Sequence, residues 1–218
     1  MKRFGNEKWK VIVSTLLCLT PMFIGLALWN KLPEQMPFHF NYKGEVDQYA
    51  GKPFVVLFPG LFLAALNLLA LYVTGKDPEN KNVSDKIMNL IIWLVPAVSL
   101  FLSFLFYGTA LGGKMSVTRT VCLLLGLMYL IFGNYSPKIR KNSTIGIRVP
   151  WTLNDEEVWN RTHRFGGFIM VIAGLILVIC ALLGVELDVF AQLILMIMPV
   201  TLIIGYSAFL YYRKRDIR

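Results

Sequence analysis

The sequence predicts an all-α, polytopic membrane protein with six transmembrane helices and both termini in the cytoplasm. Three observations predict it. Hydrophobic residues make up 56% of the 218-residue chain and charged residues only 16%, against roughly 45–50% and about 25% in soluble domains. The apolar residues gather into six separate runs, close to the ~20 residues a helix needs to cross a hydrocarbon core. Lys and Arg are then shared unequally between the two sides that six crossings create.

The runs cover residues 11–30, 54–74, 87–111, 117–133, 165–185 and 189–212. Inside a bilayer the backbone must satisfy its own hydrogen bonds, so each run reads as a helix. A β-barrel needs short alternating strands, and a continuous run such as Phe168 to Val185 does not alternate. The fourth run has Arg119 near its start, where a long basic side chain can reach the interface. The first run is longer than a signal-peptide core and lacks a small-residue cleavage site at 29–33, so it reads as a retained helix.

Orientation follows from the flanking charges. Lys2, Arg3, Lys8 and Lys10, the second loop, the fourth loop and the tail through Arg218 place seventeen basic residues on one side. Lys31, Lys43, Lys52, Lys114 and Arg119 are the five on the other. The richer side faces the cytoplasm. This distribution also accounts for the net charge of +9. The basic residues flank membrane spans, so they read as topology and anionic-lipid contact with the bilayer, not as direct nucleic-acid binding.

The chain reads as one integral membrane domain over 1–218, with an external loop region at 31–53 and a cytoplasmic signature loop at 133–167 that leads into the fifth helix. Pro33 and Pro37 hold their preceding residues extended. Asn41, Tyr42, Lys43 and Gly44 read as a turn with Gly44 at positive φ. The external loop is therefore expected to form an ordered lid, with a short strand pair. In the second loop, Ser84 is expected to cap the third helix, with Asp85 suiting its dipole. Gly112, Gly113 and Lys114 form a short turn, and the fifth connection carries Glu186 and Asp188.

The 133–167 segment is the chemically richest. Asn154 reads as an N-cap with Glu157 three residues later, close to a capping box. Asp155, Glu156 and Glu157 then fall in the first turn, and Glu157 pairs with Arg161 at i,i+4. Val158, Trp159, Thr162, His163 and Phe165 share one face. A helix should begin near Asp155 and run into the fifth span, with Trp151 and Trp159 anchoring it at the interface. Gly166 and Gly167 permit a kink or close packing.

Little of this points to catalysis. Cys18, Cys122 and Cys180 all lie in apolar runs without a C-x-x-C pair, so they read as packing residues. His39 and His163 fall on opposite sides and cannot share a metal, and His39 with Glu45 and Asp47 matches no ligand spacing. No cofactor is expected. No H-E-x-x-H, G-x-S-x-G or P-loop is present, so the chain does not read as an enzyme. No Asp, Glu, Lys or His sits mid-span, which weakens a proton-driven pump. Asn67, Asn89 and Gln192 are the polar residues available there, and Pro59, Pro96 and Pro199 are kink candidates.

A family resemblance rests on named residues. Asn134-Tyr135, Asn142, Gly146-Ile147-Arg148, Pro150-Trp151-Thr152-Leu153, Val158-Trp159 and Thr162-His163-Arg164 resemble the SdpI family of bacterial membrane immunity proteins. Residues 32–40 (LPEQMPFHF), with Gly44 and Asp47, look like the domain of unknown function that commonly precedes it. The resemblance implies a multi-pass protein of the bacterial inner membrane. It implies protection of the cell from a secreted toxic peptide, made by its own population, that collapses the membrane potential. It also implies a receptor role, in which toxin engagement holds a cytoplasmic ArsR-type repressor at the membrane. On this reading His39, Asn41, Gly44 and Asp47 are the candidate toxin-binding residues. Asn142, Arg148, Trp151, Thr152, Trp159 and His163 are the candidate cytoplasmic partner-binding residues. The alternatives are a small transporter or exporter around Asn67, Asn89 or Gln192, and a membrane enzyme built on His39, Glu45 and Asp47.

Overall fold

Six helices account for most of the chain. A computed structural model describes residues 7–41, 43–185, 187 and 189–216. The expectations placed on Lys2, Arg3, Tyr42, Glu186, Asp188 and Arg218 lie outside the described residues. The long helices are α1 (Lys8–Ala27), α2 (Lys52–Lys76), α3 (Asp85–Ala110), α4 (Val117–Tyr135), α6 (Glu156–Leu183) and α7 (Val189–Asp216). All six are long and apolar enough to cross a membrane. Between them lie a hairpin, β1 (Gln35–Phe40) and β2 (Val46–Gly51), and a short helix, α5 (Pro150–Asn154). Large apolar side chains remain outside the packed core along several helices, including Phe62, Leu69, Phe168 and Leu193. In water such patches would drive association; against acyl chains they are at home. The chain is a multi-pass, all-α membrane protein.

Two compact units form. The first holds α1, the hairpin, α2 and α3, and its three helices pack on one another. Its apolar core combines Leu32, Met36, Val55, Val56 and Tyr107. Polar side chains inside it tie helix to helix, since lipid supplies no competing water. Asn67 Nδ2 donates to Ser14 Oγ (3.1 Å) and Thr15 Oγ1 (3.2 Å). Ser99 Oγ donates to the Cys18 carbonyl and Tyr107 OH to that of Pro21, both at 2.9 Å. Lys10 Nζ donates to Asn89 Oδ1 at 2.8 Å. Pro21, Pro59 and Pro96 all lie inside continuous helices, as does Pro199 of α7 in the second unit.

The second unit holds α4, α5, α6 and α7 with the short 79–84 segment. Its central feature is a glycine seam. A Cβ on Gly133 would stand 2.8 Å from the Gly167 carbonyl oxygen, and one on Gly174 would stand 2.8 Å from that of Gly126. Only hydrogen fits there, so α4 and α6 meet backbone to backbone. Gly167 thus serves close packing, one of the two roles expected for it. At the far end of α6, Gly184 adopts φ 70° and its N–H bonds the Cys180 carbonyl. Arg119 caps the same end, with Nη2 donating to the Leu182 carbonyl (3.0 Å) and Nε to that of Ala181. That contact explains a charged residue at the start of a span.

Candidate functional site

Two polar segments break the apolar pattern, one in each unit. In the first unit, the 31–53 segment folds into the expected antiparallel hairpin. Asn41 builds its turn. Its Oδ1 accepts from the N–H groups of Lys43 (2.9 Å) and Glu45 (3.1 Å), and its Nδ2 donates to Glu45 Oε2 (3.0 Å). Gly44 supplies the positive φ, 77°. The pairing slips on both sides of His39, and His39 Nδ1 lies 2.6 Å from Asp47 Oδ1 on the neighbouring strand. All four sequence-nominated residues are therefore together: two shape the turn, and two form an exposed cross-strand pair. Among the described residues no group of three or more His, Cys, Asp or Glu is placed to hold a metal.

The hairpin is fixed to its helices by Lys52, which in the sequence reads only as a flanking charge. Lys52 is buried. Its ammonium reaches Glu34 Oε1 (2.7 Å) and the carbonyls of Trp29 and Leu32 (both 3.3 Å), and lies 5.0 Å from the Trp29 ring. A buried cation without such partners is costly. Phe38 packs edge-on to Phe54, and Phe54, Phe58 and Phe62 stack in turn along α2. An aromatic track thus runs from the hairpin down one helix face.

In the second unit, the stretch before α6 is an internally braced loop. Asn142 is fully buried and uses its whole amide. Oδ1 accepts from Thr144 N–H (2.9 Å) and Ile145 N–H (2.6 Å), while Nδ2 donates to the carbonyls of Arg140 (2.8 Å) and Ile145 (3.0 Å). Thr152 Oγ1 lies 2.8 Å from the Ile147 carbonyl and accepts from Val149 N–H (3.1 Å). His163 Nε2 accepts from Ile147 N–H at 3.0 Å. Its proton therefore sits on Nδ1, 2.9 Å from the Trp159 carbonyl. The imidazole stacks on Trp159 at 4.1 Å. Gly146 passes over this pair at φ 116°, where a Cβ would meet His163 Nε2 at 2.5 Å.

These contacts correct two expectations. Trp159 is not an interfacial anchor: it is wholly buried, and its indole N–H donates to the Ile139 carbonyl at 2.8 Å. The cap of α6 is Asp155, not Asn154. Asn154 is the last residue of α5. Asp155, at φ −135° and ψ 118°, turns its carboxylate back to accept from Glu157 and Val158 N–H.

Of the candidate partner-binding residues, Asn142, Thr152, Trp159 and His163 are buried and brace the loop from within. Arg148 is exposed and donates to the Ser143 carbonyl. Trp151 is half-buried, its indole N–H bonding Ser207 Oγ at 2.8 Å. Sequence reasoning missed Asn80, which donates to Thr144 Oγ1 at 2.6 Å, and Ser136, which donates to the His163 carbonyl at 2.9 Å. Both are ordinary polar residues whose partners lie far along the chain, and no local pattern marks them. The polar residues invoked for transport also have partners: Asn67 and Asn89 as above, and Gln192 at the Leu187 carbonyl (2.6 Å).

Lys214 of α7 closes the arrangement, reaching Asp155 Oδ2 (2.7 Å) and Glu157 Oε2 (2.9 Å). Its ammonium holds the Asp155 carboxyl below the usual range, helped by the Val158 and Glu157 N–H groups against a smaller cost of desolvation. A carboxyl lowered in the folded state stabilises the fold above its unfolded pKa, and that contribution fades as pH falls through the lowered value. The thermal midpoint in detergent is therefore expected to drop on acidification below the ordinary carboxylate range. The drop should be smaller in Asp155→Asn.

Known proteins share both segments. The model of the SdpI/YfhL protein family matches residues 138–212, and that of a domain of unknown function (DUF1648) matches residues 16–63. The chain is 23% identical over 209 residues to the protein named Immunity protein SdpI of Bacillus subtilis (strain 168), covering 94% of this chain and 97% of that one. No solved structure matches the chain.

Proposed function

We propose, from this chain's membership of the SdpI/YfhL protein family, that it is a membrane immunity protein protecting its cell from a secreted, membrane-active toxic peptide. The observation that carries the reading is the extent of the match: both polar segments and nearly all of both chains are covered. The charge asymmetry supports an orientation with both termini in the cytoplasm of a bacterial cell, in its inner membrane. The hairpin then faces outward. It offers the His39–Asp47 pair and the Asn41–Gly44 turn as polar groups that an arriving peptide could meet. The aromatic track from Phe38 to Phe62 continues into the span.

The 133–167 segment then faces the cytoplasm. Arg148 and the half-buried Trp151 are the candidate contacts for a protein partner, which the family resemblance suggests is an ArsR-type repressor. DNA contact would belong to that partner. The buried Asn142, Thr152, Trp159 and His163 would hold the docking surface in shape. No step in this reading is catalytic.

The test is expression in a toxin-sensitive Bacillus strain lacking its own immunity protein. Survival of toxin exposure is the expected result. Unchanged killing, with the protein confirmed in the membrane, overturns immunity to that toxin. Loss of protection in His39→Ala and Asp47→Ala at normal membrane levels is expected if the hairpin meets the toxin.

A further inference from the structure

We propose that the groove between the start of α6 and the end of α7 binds one anionic phospholipid. The groove, of about 260 Å³, is lined by Glu157, Val158 and Arg161 from α6 and by Leu210, Arg213 and Lys214 from α7. Its lining has two characters. Val158 and Leu210 are buried and give it an apolar floor. Three cations and one carboxylate form its rim.

The charges have distinct duties. Lys214 is held by Asp155 and Glu157, and Arg161 Nη2 lies 3.1 Å from Glu157 Oε1. The Glu157 carboxylate is thus engaged by two cations and does not face the groove uncompensated. With Asp155 included, three cations oppose two anions, leaving a net positive rim. Among the described residues no carboxylate lies within ion-pair distance of Arg213. Its guanidinium is the natural hook for a phosphate, which it can hold through paired N–H donors.

Depth selects a lipid over a free anion. Arg161 precedes Phe165 by four residues, about 6 Å along the helix axis. Phe165 stacks on Tyr206 of α7, with ring centroids 4.3 Å apart. The basic rim thus lies about one helical turn outside this aromatic pair, at the end of the span where headgroups would meet it. Phosphate at the rim with a hydrocarbon chain on Val158 and Leu210 uses both characters of the groove, whereas inorganic phosphate uses only one. Basic pockets between spanning helices are the usual setting for specific lipid headgroup contacts.

The experiment uses the full chain purified in a neutral detergent. Phosphatidylglycerol, phosphatidylcholine, glycerophosphoglycerol and inorganic phosphate are added separately. Thermal midpoints are recorded, and native mass spectra show retained lipid. Phosphatidylglycerol is expected to raise the midpoint and to remain as one bound copy. Arg213→Gln should weaken its retention by about tenfold or more, the loss of the paired charge-assisted hydrogen bonds. Arg164→Gln, an exposed basic residue near the same end but outside the groove, should leave retention unchanged. Equal effects of phosphatidylcholine overturn the proposal, as do equal effects of glycerophosphoglycerol or phosphate. Equal losses in the Arg213 and Arg164 variants, or no loss in either, overturn it too.

Discussion

Gly167→Ala is expected to lower the stability of the second unit by about 1–3 kcal/mol, the usual cost of overpacking a close contact. The added Cβ would stand 2.6 Å from the Gly133 carbonyl oxygen and 2.9 Å from the Pro137 ring. Backbone and a proline ring cannot rotate away as a flexible side chain can, so α4 and α6 would have to separate. The control is Gly205→Ala in α7, where a Cβ meets nothing within 4 Å. There the better helix propensity of alanine should leave stability unchanged or raise it by up to about 1 kcal/mol. Midpoints of detergent unfolding for the two variants measure the contrast directly. Equal destabilisation of both would show that the seam has no special role.

Trp159→Ala is expected to cost about 3–5 kcal/mol, the range for removing a large buried aromatic side chain. Three losses combine. The indole leaves a cavity at a site with no exposure, the Ile139 carbonyl loses its donor, and His163 loses its stacking partner. Trp159→Phe retains most of the volume and removes the N–H, so it should cost nearer to the ~1 kcal/mol of one hydrogen bond. The same pair separates bracing from docking. If Trp159 shapes the loop from within, protease sensitivity between residues 139 and 150 should rise in step with the loss of stability. A Trp159→Ala protein of unchanged stability would mean that the indole contributes nothing to the fold.

The helices were readable from the chain because lipid imposes a length and a composition on each. The hairpin was readable because Pro33, Pro37 and the Asn41–Gly44 turn act locally. What could not be read were the partners. Trp159 sits where an interfacial tryptophan would sit, and only the Ile139 carbonyl, twenty residues earlier, turns it inward. Asn154 and Asp155 are both good capping residues; the choice depended on α5, a five-residue helix that Pro150 starts and that carries no strong periodic signal. Lys52 resembles any basic residue flanking a span until Glu34 and two carbonyls are seen around it. Of the residues nominated for contact with a partner, most proved to be buried hydrogen-bonding groups. Pattern alone does not separate a residue that meets another protein from one that holds the meeting surface in place.

The glycine seam has a mechanical consequence. Gly126 and Gly133 are seven residues apart, as are Gly167 and Gly174, so the two contacts lie about two helical turns from one another. Two helices touching through their backbones at both points have no side chain there to give way, and Leu130, Val171, Leu177 and Val178 pack closely around the glycines. They act as one stiff strut. α7 packs on α6 through a mixed set of contacts: buried Ile203 lies against Gly166, Phe165 stacks on Tyr206, and Lys214 reaches Asp155 and Glu157, while Trp151 of α5 bonds Ser207. Within this unit the paired backbones fix the spacing of α4 and α6, and the Lys214 ion pairs tie the end of α7 to the start of α6.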